Sequence, residues 1–185
     1  MKRLICALAG LAALAGAAHA QKPIGPEWEP VLIATVDDFA DKFRSAPNDM
    51  AKGLTRRTRA QTLCGPAQPV KSAQGHVRDW TGTVQKLDAV ADGRGILYVR
   101  IAPNVTLQTT NNDFSEKLGP MKTLIAPGTP LYDSAVALAE GQKVRFSGMF
   151  APSVEDCLKE SSLTVGGAMT EPEFLFQFSV IAPVR

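Results

Sequence analysis

The stretch DWTGTVQKLDAVADGRGILYVRIAPNVTLQTTNN, residues 79–112, decides the fold. Apolar and polar residues alternate along it in three runs, broken at Asp92-Gly93 and at Pro103-Asn104. A period of two sends successive side chains to opposite faces of a strand. Trp80, Gly82, Val84 and Leu87 then share one face of a first strand, Leu97, Val99 and Ile101 one face of a second, and Val105, Leu107 and Thr109 one face of a third. Asp92-Gly93 supplies the positive-φ positions of a tight hairpin, and Pro103-Asn104 makes the next turn. Glycine weakens a strand interior unless the strand must bend sharply, so Gly82 points to a sheet that curls.

Downstream, an irregular stretch through Thr129 leads to a short helix over residues 130–140, with Leu131, Ala135 and Leu138 as its apolar stripe and Gly141 as its stop. QKVRFSGMF (142–150) reads as a fourth strand, with Val144, Phe146, Gly148 and Phe150 on one face and a second central glycine. A polar loop carries Cys157. SSLTVGGAM (161–169) reads as a fifth strand or extended arm, and EFLFQFSVIA (173–182) as an apolar last strand.

Upstream, Pro23, Pro26 and Pro30 fix φ and donate no backbone hydrogen bond, which predicts an extended lead-in over residues 21–34. From Thr35, a candidate cap, the pattern turns helical, with Val36, Phe39, Ala40 and Phe43 on one face. Pro47 suits the first turn of a second helix, in which Met50, Leu54, Thr58, Gln61 and Leu63 lead to Cys64. These two helices span residues 35–64. The second carries Lys52, Arg56, Arg57 and Arg59, read as a solvated basic face whose cations complement the helix's negative end.

The chain opens with Met-Lys-Arg, an apolar run from Leu4 to Ala18, and Ala18-His19-Ala20, the pattern of a secretory signal peptide over residues 1–20. The run is shorter than the roughly 20 apolar residues a membrane helix needs. Cleavage after Ala20 leaves 165 residues, and with Lys2 and Arg3 gone 18 basic residues face 18 acidic ones. A balanced chain lacks the basic excess of most nucleic-acid binders. Cys64 and Cys157 remain as a pair in an oxidising compartment, which predicts a disulfide. A periplasmic or secreted protein, with no membrane span after cleavage, is expected.

Helices, three meander strands, a helix and further strands, with bend-permitting glycines, give an α+β chain that is mainly β. The order is that of a small OB-like antiparallel barrel over residues 65–185, preceded by two helices. A two-sheet sandwich is the rival, and it gives the helix between the third and fourth strands no purpose.

The segments NDMAKGLTRRTRAQTLC, WTGTV, DGRGILYVRI, TLIAPGTPLYDSAVAL, GQKVRFSGMF, DCLKESSLT and MTEPEFLFQFSVI together resemble the OB-fold-like domain of exported bacterial proteins related to the tRNA-anticodon-binding-like barrels. The likeness covers residues 48–181. It implies the barrel and no catalytic residue, and the name of the wider group implies nucleic acid.

No nucleophile elbow, Cys-x-x-Cys, dinucleotide loop or calcium loop is legible, and His76 stands in a connector. The expectation is a non-catalytic binding protein with no cofactor and no metal. In barrels of this kind ligands meet the face of strands two and three. By alternation the outward residues there are Tyr98, Arg100, Thr106, Gln108 and Thr110. An aromatic plane beside a planar cation suits a protein or envelope component. An oligonucleotide or oligosaccharide on the same face is the alternative.

Overall fold

The computed structural model describes residues 24–65, 70 and 74–184, so the leader reading for residues 1–20 lies outside it. Among the described residues there are five α-helices: α1 (Glu29–Arg44), α2 (Asp49–Leu63), α3 (Asp113–Leu118), α4 (Pro130–Val136) and α5 (Val165–Thr170). Seven strands are β1 (His76–Ala89), β2 (Gly95–Ala102), β3 (Val105–Gln108), β4 (Lys143–Phe150), β5 (Pro152–Ser153), β6 (Cys157–Leu158) and β7 (Glu173–Pro183). None of the described helices is long and apolar enough to cross a membrane.

Five strands close into a ring of hydrogen bonds in the order β1-β2-β3-β7-β4 and back to β1. Every pairing is antiparallel except β3 with β7, which is parallel and only three residue pairs long. The two glycines inside β1 and β4 sit where a neighbouring strand comes close. A Cβ on Gly82 would lie 2.5 Å from Val99 Cγ1, and one on Gly148 would lie 2.2 Å from the Gln177 carbonyl and 2.4 Å from the Phe176 ring. Beside Gly148 the register between β4 and β7 slips, the mark of a bulge that adds twist.

The core beside Gly148 is filled by rings. Phe146, Phe150, Phe174, Phe176, Phe178 and Trp80 pack edge to face with centroids 4.8 to 5.9 Å apart, an arrangement favoured by the aromatic quadrupole. Helices occupy the two ends of the ring. At one end α1 buries Leu32, Val36, Phe39 and Phe43, its Glu29 carboxylate accepts from the Thr81 amide, and its Asp37 accepts from Asn104 in the β2–β3 turn. At the other end Ala135 of α4 and nearby Leu138 pack with Ile125, Leu87 and Ile96.

Four sequence readings change. The lead-in does not stay extended to residue 34, because α1 begins at Glu29 with Pro30 in its first turn, where proline has no amide to forfeit. Thr35 is inside that helix, its hydroxyl donating to the Val31 carbonyl. SSLTVGGAM is not a strand, since the Thr164 hydroxyl accepts from the Gly167 amide and caps α5. The stretch after Asn112 contains α3, capped by the Asn112 side chain.

Candidate functional site

Three of the five residues expected on the outer face lie there together. Tyr98 is half-buried, Arg100 is exposed and Thr106 is partly exposed; Thr106 is the cross-strand partner of Arg100. Two neighbours on β1 complete the patch. Lys86 faces Tyr98 across the strands and holds its ammonium 5.6 Å from the ring centroid, a cation–π contact. Gln85 lies against the Arg100 guanidinium, and turning its amide oxygen toward Nε and Nη2 would let it accept from both. Burial pushes the Tyr98 hydroxyl above its ordinary range, so it remains a neutral donor.

Gln108 and Thr110 are not exposed there: Gln108 is the cross-strand partner of Tyr98 on the same side of the sheet but is covered, and Thr110 lies beyond the end of β3. Gln108 is 1 % exposed, donates Nε2 to Glu173 at 3.4 Å and leaves Oε1 without a partner. Thr110 donates its hydroxyl to the buried Glu116 carboxylate at 2.6 Å, and the same carboxylate accepts from the Thr123 and Leu124 amides. Alternation holds through Gln108, where β3 ends, and fails beyond it, where residues 110–124 fold back through this carboxylate.

A second polar site was not legible as one. Arg59 is 1 % exposed, donates Nη1 to the Ala168 carbonyl at 2.7 Å and holds Nη2 3.4 Å from Glu160. Arg56 grips Asp156 through two bonds of 2.6 Å each, a bidentate pair. The solvated basic face read from the sequence is therefore half wrong: Lys52 and Arg57 stay outside, while Arg56 and Arg59 turn inward. The signal was there. Arg56, Ala60 and Cys64 are spaced four apart, so a bonded Cys64 directs that row of α2 toward the rest of the molecule. Met50 and Leu54, expected in this helix, are exposed on another side.

The expected pair Cys64–Cys157 is bonded, with Cα atoms 5.7 Å apart. It pins the β5–β6 hairpin to the end of α2. Burial drives the Glu160 carboxyl up to about 8, against the pull of Arg59 and the bond its Oε2 accepts from the Glu173 amide. Burial lowers the Arg59 guanidinium, which nevertheless stays charged because its intrinsic pKa is so high. Between α2, the hairpin and the residues before α5 lies a cavity of about 590 Å³ lined by Arg56, Asp156, Lys159 and Glu160 among others.

His76 opens β1 on its exposed side. Among the described residues no group of three or more His, Cys, Asp or Glu side chains is placed to hold a metal ion. Comparison with protein-family models, with curated proteins and with solved structures returns no match.

Proposed function

We propose that the chain is an exported, non-catalytic binding module built on an OB-like barrel, holding a protein or another envelope component on the outer face of β2 and β3. The observation that carries this reading is the patch itself: Tyr98 between Lys86 and Arg100, with Gln85 and Thr106 beside them, on strands whose inner Leu97, Val99, Val105 and Leu107 are fully buried. A rigid aromatic next to planar and point cations is the composition that concentrates binding energy in small areas. The ring order, the parallel β3–β7 pair and the helical connection between β3 and β4 support the OB-like assignment. The disulfide supports export through an oxidising compartment.

An oligonucleotide or oligosaccharide on the same face is the second reading, favoured by the stacking surface that Tyr98 offers. Salt separates the two. A phosphate ligand loses affinity steeply between low and moderate salt, because binding releases counterions.

Replacing Tyr98 and Arg100 together with alanine tests the face. Both side chains are at least partly exposed, so the variant should keep its circular dichroism spectrum and melt within about 4 °C of the parent. It should also fail to retain the envelope component that the parent captures by cross-linking. Equal capture by parent and variant would remove the face from the account.

A further inference from the structure

The cavity between α2 and the β5–β6 hairpin shares no lining residue with the Tyr98 patch. Its rim is apolar and its floor is charged. Leu118 at the end of α3, Val154 in the hairpin turn, Leu163, and Val165 at the start of α5 surround it, and all four are exposed, Val154 and Leu163 completely. Single exposed aliphatic side chains are ordinary on a protein surface. Four of them brought from three separate segments to one opening are the kind of patch that marks a binding site.

The floor shows which charge is left over. Asp156 is occupied by Arg56, and Glu160 by Arg59 and the Glu173 amide. Arg56 uses Nε and Nη2 on Asp156, so its Nη1 edge has no partner among the described residues. Lys159 lines the cavity, is exposed, and forms no ion pair among the described residues. Both unspent groups are donors with positive charge. Of the acids on the lining, Glu155 stands 3.6 Å from Arg56 Nη2, Asp156 is held by Arg56 and Glu160 by Arg59, so each already faces a cation. A cationic ligand would have to take Asp156 from Arg56, breaking a bidentate pair. An anionic ligand displaces nothing.

We propose that this cavity binds an amphipathic carboxylate: one carboxylate held by Lys159 and the free edge of Arg56, joined to a branched apolar group seated among Leu118, Leu163 and Val165. The chemistry is shared by the last residue of a polypeptide ending in leucine or valine and by a free branched-chain acid. An apolar group alone would leave the two donors unmet, and a bare carboxylate would leave the rim exposed. Affinity therefore requires both halves of the ligand at once. The site stands apart from the proposed partner face.

Isothermal titration calorimetry on the disulfide-bonded protein tests it with N-acetyl-leucine, its amide N-acetyl-leucinamide, acetate, 3-methylbutanoate and a tetrapeptide ending in leucine. N-acetyl-leucine should bind, and the amide and acetate should each bind about tenfold more weakly or not at all, the loss expected for one charge-assisted hydrogen bond or one buried aliphatic group. Lys159→Gln and Leu163→Ser alter exposed side chains, so both should fold normally, and each should weaken N-acetyl-leucine by a similar factor. The tetrapeptide binding more tightly than 3-methylbutanoate assigns the site to polypeptide ends, and the reverse assigns it to free acids. The alanine pair at Tyr98 and Arg100 should leave these affinities unchanged. Equal affinity for the acid and its amide, no binding of any acid at millimolar concentration, or indifference to Lys159→Gln would overturn the proposal.

Discussion

Gly148→Val is expected to destabilise the protein by at least about 3 kcal/mol, and to abolish a single cooperative unfolding transition if the ring opens to accommodate it. The reason is local and steric. Even a methyl group at this position would stand 2.2 Å from the Gln177 carbonyl oxygen and 2.4 Å from the Phe176 ring. The carbonyl belongs to the strand that pairs with β4, so it cannot move without loosening the ladder. Phe176 has no exposed surface and touches Phe146, Phe150 and Phe178, so its ring has nowhere to turn. Valine adds two further methyl groups to the same collision. Gly53 in α2 provides the contrast, since a Cβ there meets nothing within 4 Å. Gly53→Ala should be neutral or stabilising by up to about 1 kcal/mol through helix propensity alone. Urea unfolding followed by the fluorescence of Trp80, which is buried against Phe150, measures both variants. A Gly148→Val protein within about 1 kcal/mol of the parent would mean that the close approach of β4 and β7 is not what the packing implies.

Removing the disulfide is the second large effect. Changing Cys64 and Cys157 together to alanine, which leaves neither half of the bridge as a free thiol, should cost about 4 to 5 kcal/mol if the entropy of the unfolded chain dominates. The bridge closes 93 residues of chain, a long loop and therefore a large term. Local structure adds to the dependence. The hairpin that Cys157 belongs to has only two residues in each strand, far too few to persist alone. Cys157 itself adopts φ of +70°, a left-handed conformation that side chains other than glycine resist. Without the bridge, Arg56–Asp156 is left as the chief polar tie between α2 and the hairpin. Thermal melts of the parent and the double variant read the difference, and the parent with reductant should fall toward the variant. A shift smaller than about 1 kcal/mol would show that the hairpin and α2 are held by packing instead.

What could be read in the sequence, and what could not, follows from how local each cause is. The three meander strands were legible because alternation is a property of neighbouring residues, and Leu97, Val99, Val105 and Leu107 are all fully buried as alternation requires. Gly82 and Gly148 stood out because a central glycine costs stability unless it buys a close approach. The bonded pair Cys64–Cys157 followed from elimination once Cys6 was assigned to the leader. Other features depend on partners distant in the chain. Thr109 and Thr110 are both buried, which no period of two allows; the Glu116 carboxylate six residues on draws Thr110 inward, and the Leu97 amide holds Thr109. Arg59 was taken for a surface residue because arginine usually is one, while its partners Glu160 and Ala168 lie more than a hundred residues away. SSLTVGGAM carried two conflicting local signals, a β-branched run and a threonine cap, and the cap prevailed.

The same distinction bears on function. The Tyr98 patch was approachable from sequence because it occupies regular strands, although Lys86 and Gln85 joined it through a register slip in β1 that alternation does not anticipate. The cavity beside the hairpin was not approachable, because α2, α3, the hairpin and the residues at α5 that line it are far apart in the chain and meet only in the folded molecule.

Closure of the ring underlies the proposed partner face, and its shortest link is the parallel pairing of β3 with β7. Nuclear Overhauser contacts in the isotopically labelled protein report that link directly. Cross-strand contacts should join Thr106 with Glu173 and Leu107 with Phe174, alongside the antiparallel contacts of β7 with β4. A β7 that contacts β4 alone, with the amides of β3 on that side exchanging freely with solvent, would contradict a closed ring.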